Sequence, residues 1–215
     1  MDDKTGQREV CYSCYRPMSS CMCEHIRSIK TNTKFVILMH PKEFKKTKNN
    51  TGHLTHLSLP NSEIHVDIDF THNTRINKLI DDPTKSCYLL YPSADSLDIN
   101  RYDINKGSNE IVIFIVDSTW ACSRKILRLS QNLKQLQKIS FSNEKISQYM
   151  IKKQPKESCL STIESTHCVL EILNTQKYEN ITQQNLNGLL NPFKEMVIYQ
   201  LGCLETGKSV RFKKR

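Results

Sequence analysis

Glycine is scarce, at 6 of 215 residues, and no apolar run reaches the ~18–20 positions a bilayer-spanning helix needs. With only seven prolines, collagen-like and linker-dominated classes are excluded as well. The opening stretch MDDKTGQREV holds no apolar signal-peptide segment. No secretory leader and no membrane partner are therefore expected, and the setting is read as cytoplasmic. A G-x-G-x-x-G fingerprint and a G-x-S-x-G nucleophile elbow are missing, so neither a Rossmann phosphate loop nor an α/β-hydrolase site is expected.

Cysteine, by contrast, is plentiful. Nine occur, and nine is an odd number in a chain read as cytoplasmic, which argues against a disulfide framework. Four of them, Cys11, Cys14, Cys21 and Cys23, follow the spacing C-x2-C-x6-C-x-C within thirteen residues. Four thiolates suit a structural Zn2+ ion in tetrahedral coordination, although the C-x-C pair is tighter than the usual gap. The remaining five cysteines are expected to sit at least partly buried as small hydrophobes.

Charge of one sign dominates. Lys and Arg number 31 against 22 Asp and Glu, a formal net charge of +9. The cations gather in Lys42, Lys45, Lys46 and Lys48, in Arg124, Lys125 and Arg128, in Lys152, Lys153 and Lys156, and in the tail from Lys208. Such clusters are the electrostatic footprint of a polyanion binder. Lys42, Lys45, Lys46, Arg124, Lys125, Lys152 and Lys153 are the RNA-binding candidates.

Hydropathy patterning predicts an α/β fold. The continuous β-branched and aromatic runs Phe35–Met39, Tyr88–Tyr91 and Ile111–Val116 read as strands covered on both faces of a parallel sheet. Residues 64–70 alternate and read as a half-exposed strand. Ile126, Leu129, Leu133 and Leu136 predict one amphipathic helix after Trp120. Ser161-Thr162-Ile163-Glu164 is a capping box opening a helix to about Leu173, and a last helix stops near Gly202. Ligands of open α/β sheets gather beyond the carboxyl ends of strands. There lie His40-Pro41-Lys42-Glu43, Pro92-Ser93 and Asp117-Ser118-Thr119-Trp120. Each has a plainer reading: Asp117 as a helix N-cap, His40 as a structural histidine, Trp120 as core.

Taken in order, Cys11-x2-Cys14-x-Arg16-Pro17-x3-Cys21-x-Cys23, His40-Pro41-x-Glu43, Asn50-Thr51-Gly52, Tyr91-Pro92-Ser93, Asp117-x-Thr119-Trp120 with Arg124-Lys125, and Leu160–Glu164 resemble the DTW-domain family, the tRNA-uridine aminocarboxypropyltransferases. The similarity runs over roughly residues 11–173; His53 stands where the family often has Arg. The resemblance implies a SPOUT-like, knotted, mostly parallel sheet with flanking helices at 31–215 and a zinc lobe at 1–30. It also implies S-adenosylmethionine as donor and transfer of its 3-amino-3-carboxypropyl (acp) group to N3 of a tRNA uridine. Carried onto this chain, Asp117 becomes the catalytic residue. The donor would lie among His40, Pro41, Thr51, Gly52, Leu90, Tyr91, Pro92, Ser118, Thr119, Trp120, Leu160, Ser161, Thr162 and Glu164. A SPOUT-type RNA methyltransferase and a non-catalytic zinc-containing RNA-binding protein are the alternatives. Monomer and homodimer stay open.

Overall fold

In the computed structural model, residues 9–46, 49–104, 107, 109–142, 147–148 and 159–206 are described. The three continuous apolar runs form strands: β1 (Lys34–Met39), β3 (Lys85–Leu90) and β5 (Glu110–Asp117). With β2 (Ser62–Val66), β4 (Leu97–Asp98) and β6 (Gln137–Ser140) they build one sheet of order β2-β1-β5-β3-β6-β4, every pairing parallel. The predicted α/β class with a mostly parallel sheet is the observed one.

Why those runs are continuous is visible in where alternate residues go. Phe35 on β1 and Ile111, Ile113 and Ile115 on β5 pack into one apolar cluster. It is completed by α2 (Thr51–Ser58), α6 (Thr162–Thr175), α7 (Gln183–Gly188) and α8 (Asn191–Glu205). Val36, Leu38, Val112 and Phe114 pack into a second cluster with α3 (Thr74–Ile80), α4 (Trp120–Leu129) and α5 (Gln131–Lys134). Both faces are covered, so both sets of side chains are apolar. A short helix, α1 (Pro41–Lys46), follows β1 directly.

Three expected boundaries differ. The strand predicted over 64–70 ends at Val66, because side-chain turns replace the ladder: Asp67 Oδ1 accepts from Ile68 N at 2.7 Å and Asp69 Oδ1 from Thr71 N at 3.0 Å. The helix predicted from Trp120 through Leu136 breaks at Ser130. That buried serine is extended, at φ −74° and ψ 95°, and its Oγ accepts the Phe70 N–H at 2.9 Å. The last helix runs past Gly202 to Glu205. Gly202–Ser209 spells G-x-x-x-x-G-K-S, the string of a phosphate loop. A phosphate loop leads from a strand into a helix N-terminus, whereas Gly202 sits near the C-terminus of α8, so the string has no such context. Among the described residues no helix is long and apolar enough to cross a membrane.

The four cysteines fold into a lobe against α2 and α8. A turn from Cys11 to Arg16 is closed by Cys11 N to Arg16 O and Tyr15 N to Cys11 O, both 2.8 Å, with Tyr15 in the left-handed region at φ 55°. Arg16 is buried and its guanidinium reaches Met196 Sδ on α8. The His53 ring, on α2, donates through Nε2 to Ser13 O at 3.0 Å and lies 5.1 Å from the Tyr15 ring. His53 therefore ties the lobe to the helix.

Candidate active site

β1 and β5 are adjacent and parallel, so their carboxyl ends emerge side by side, with His40 N donating to Asp117 O at 3.2 Å. Asp117 is the last residue of β5 and is 7% exposed. Its Oδ2 accepts from Asn50 Nδ2 at 2.6 Å and its Oδ1 from Thr162 Oγ1 at 2.7 Å. Asn50 is the N-cap of α2, where its Oδ1 accepts the His53 N–H at 2.7 Å, and Thr162 opens α6. One carboxylate thus joins the amino ends of two helices, where the helix dipoles favour negative charge.

Local sequence explains the closeness. A β-carbon built on Gly52 would stand 2.5 Å from Asp117 Oδ2, so only glycine lets the first turn of α2 approach that carboxylate. The Asn-Thr-Gly run therefore supplies a cap, a buried threonine and the gap. Capping of α4 falls to Thr119, whose Oγ1 accepts from Cys122 N. The plainer reading of Asp117 as a helix cap is overturned.

Around this centre, His40 is 7% exposed, and burial followed by the nearby Lys42 and Lys125 pushes its pKa down. Its Nδ1 accepts from Lys42 N at 3.1 Å, which leaves the proton on Nε2. Pro41, Thr51 and Gly52 flank the same strand end. On the other side Leu90 closes β3, Tyr91 N donates to Ile139 O at 3.0 Å, and Pro92 is exposed. Trp120 is not core: it is 39% exposed, with its ring 6.0 Å from that of Tyr91. Ser118 Oγ meets Ser123 Oγ at 2.8 Å. Leu160 and Ser161 lead into α6.

Glu164 faces inward instead. Its Oε2 accepts from Ser161 N at 2.8 Å and Ser161 Oγ at 2.6 Å, and its Oε1 from Gln148 N at 2.8 Å. A buried carboxylate so employed ties Gln148 to the start of α6 rather than facing a ligand. Lys42, Lys45, Arg124 and Lys125 are exposed on α1 and α4. The Lys46 side chain, Lys48, Lys152, Lys153, Lys156 and the tail cations lie outside the described residues. Asn50 is quoted in the sequence only as part of the Asn-Thr-Gly motif; the structure adds its bond to Asp117 and its place as the N-cap of α2.

The cysteine lobe stands apart. Cys11 Sγ lies 3.6 Å from Cys23 Sγ, Cys14 Sγ lies 3.7 Å from Cys21 Sγ, and all four sulfurs fall within 4.8 Å of one another. A tetrahedron with ~2.3 Å Zn–S bonds has S···S edges of about 3.8 Å, so the donor set fits zinc. Backbone N–H groups of Cys14 and Ser13 hold the Cys11 thiol down at about 6, while burial and the neighbouring thiols push Cys23 up.

Residues 8–201 match the family model of the DTW domain. The chain belongs to the DTW domain family. A relative from Drosophila melanogaster, tRNA-uridine aminocarboxypropyltransferase 2, is 28% identical over 214 residues, 93% of this chain and 78% of its own. Proteins of the same name from Macaca fascicularis and Mus musculus are each 25% identical over 212 residues, 97% of this chain and 68% of theirs. No solved structure matches. The matched DTW region spans both the cysteine lobe and every residue that meets at Asp117.

Proposed function

We propose that this DTW protein is a tRNA-uridine aminocarboxypropyltransferase, forming acp3U with S-adenosylmethionine as donor. The carrying observation is the Asn50–Asp117–Thr162 contact, which brings three separated motifs to one point at the strand ends of a chain whose named relatives hold that activity. The donor supplies a sulfonium whose acp methylene is electrophilic. The new bond joins uridine N3 to that methylene, the sulfur–methylene bond breaks with its electrons retained by sulfur, and methylthioadenosine is released.

Three carbons surround the sulfonium, so choosing among them is a matter of position. The backbone of the Leu90-Tyr91-Pro92 and Ser118-Thr119-Trp120 segments, rather than the Tyr91 and Trp120 rings, is proposed to wall the adenosine, beside Leu160. The N–H of Thr162, at the start of α6, is proposed to receive the donor's carboxylate, since that of Ser161 already bonds Glu164. His40, Pro41, Thr51 and Gly52 complete the wall. Asp117, which accepts from Asn50 and Thr162 at two helix starts, is proposed to take the N3 proton.

The remaining assignments are proposals of the same kind: a SPOUT-like, knotted catalytic unit at 31–215, and a lobe at 1–30 closed by structural Zn2+ on Cys11, Cys14, Cys21 and Cys23. Lys42, Lys45, Lys46, Arg124, Lys125, Lys152 and Lys153 are proposed to meet tRNA phosphates in the cytoplasm. Incubation of the zinc-loaded protein with tRNA and S-adenosylmethionine, followed by nucleoside mass spectrometry, tests the reaction. Uridine heavier by one acp group is expected. A gain of one methyl group would make the protein a methyltransferase, and an unchanged uridine with bound tRNA a binding module.

A further inference from the structure

The sheet face opposite the Asp117 carboxylate carries an open cavity of about 290 Å³. Its floor is apolar, made by Leu89 on β3, Leu127 on α4 and Leu133 on α5. Its rim is cationic, with Arg124 and Arg128 one turn apart on α4 and Lys134 and Lys138 across from them. Lys138 is paired with Asp95 at 2.8 Å, and Lys134 reaches only the neutral Gln131 Oε1 at 3.0 Å. Among the described residues no carboxylate pairs with Arg124, Arg128 or Lys134. Tyr91 stands on the same rim, and its ring touches that of the exposed Trp120. Trp120, Arg124 and Arg128 recur every fourth residue and so form one stripe along α4, with steps of about 6 Å.

We infer that this cavity holds one unpaired nucleotide of the RNA substrate, adjacent to the target uridine. Its base would lie over the leucine floor and the Tyr91–Trp120 rings, and its phosphates along Arg124, Arg128 and Lys134. This rests on the tRNA-modifying reading above and extends it to the path of the RNA. Single-stranded RNA is held by aromatic platforms beside a cationic track, and both elements are present here in contact. Place supports the same occupant. Tyr91 follows β3 and Trp120 opens α4, three residues after Asp117, so a strand presenting its uridine at Asp117 crosses the sheet edge onto this face. The donor is a poor occupant, because its sulfonium and ammonium would meet cations. At about 290 Å³ the cavity also lies just below the ~300–1,000 Å³ range of ligand sites, room for no more than a single nucleotide.

Trp120 is the only tryptophan in the chain, so its fluorescence reports this site alone. The zinc-loaded full chain is titrated with tRNA and with single-stranded oligouridylate, without donor. Quenching by both is expected. Replacing Arg128 and Lys134 together by Ala should weaken tRNA binding roughly tenfold and flatten the log affinity–log salt slope by about 1.4. KM for tRNA should rise while kcat at saturating tRNA and donor affinity hold. The charge-preserving pair R128K and K134R should restore the slope. Unchanged quenching, slope and KM in the alanine pair would overturn the inference, since the RNA would then run elsewhere. Wild-type protein that binds tRNA with quenching yet transfers no acp group would overturn the transfer reading instead, leaving the nucleotide site supported.

Discussion

Gly52 and Asp117 are packed so closely that a β-carbon at position 52 would lie 2.5 Å from Asp117 Oδ2 and 2.8 Å from its carboxyl carbon. Neither neighbour is a flexible side-chain end, because Asn50 and Thr162 fix the carboxylate on both sides. Gly52→Ala must therefore displace Asp117 or tilt α2. Overpacking of this kind costs about 1–3 kcal/mol. Urea unfolding should show that modest loss, while acp transfer should fall far more steeply. Wild-type turnover in the alanine variant would mean that the Asp117 position is not critical.

Asp117→Asn separates proton transfer from architecture. The Asn50 amide is locked, since its Oδ1 already accepts the His53 N–H, so its Nδ2 must keep an oxygen partner. The new amide oxygen can face Asn50, and its NH2 can face Thr162 Oγ1, which turns from donor to acceptor. The fold should survive with nearly unchanged melting temperature. Loss of the base should slow transfer about 10²–10⁴-fold, with partial recovery as pH rises and uridine ionises unaided. Loss of donor binding would instead make Asp117 a positioning residue.

Much of this site was legible, and the reasons are specific. Continuous apolar runs gave β1, β3 and β5 because a sheet covered on both faces leaves no polar alternation, and the short strands β4 and β6 lack such runs. Loops at strand ends marked His40, Tyr91 and Asp117. What stayed hidden was partnership across the chain. The Ser161-x-x-Glu164 capping box did say that Glu164 turns back, but nothing local says that Asn50 faces Asp117 or that Ser130 breaks a helix to accept from Phe70. Such bonds span tens of residues, and hydropathy carries no trace of them.

Zinc should be testable through Cys14, which is 5% exposed. Cys14→Ser replaces a thiolate ligand by a hydroxyl that does not ionise near neutral pH. Metal analysis should fall from about one zinc per chain toward none, because four thiolates are needed to close the tetrahedron. Hydrogen exchange should rise across the lobe and at the start of α2, where His53 touches Ser13. Freshly purified, reduced wild-type protein without zinc would refute the metal assignment.

Glu63 sets an acid limit on stability. The Arg75 guanidinium bonds it through Nε at 3.0–3.1 Å, and with Lys34 and His65 it holds the carboxyl at about 2 against an ordinary 4.5. A carboxyl depressed by folding stabilises the native state above its unfolded value and loses that contribution as pH falls through its folded one. The loss should therefore fall between pH 4.5 and about 2. Glu63→Gln should be less stable at neutral pH by about 1 kcal/mol, because solvent around the half-exposed Arg75 screens the pair. Its melting temperature should approach that of wild type as pH drops through the window. Parallel curves for the two proteins would show that the ion cluster is not coupled to folding.

The strand order has a kinetic consequence. β5 lies between β1 and β3, so the β2-β1 pair and the β3-β6-β4 set meet only through it. Lys85 finds Glu110 across a short crossover, but Lys34 finds Val112 only across a long closure in a parallel sheet. Pairings so remote in sequence make folding slow, because loop entropy is lost before contacts reward it. The carboxylate at the centre of the site rides on the carboxyl end of that joining strand. A nascent chain halted before residue 110 holds Gly52 and Asn50 with nothing for them to grip. Recovery of transfer during refolding should consequently follow the slowest phase, in which the two halves of the sheet are zipped together.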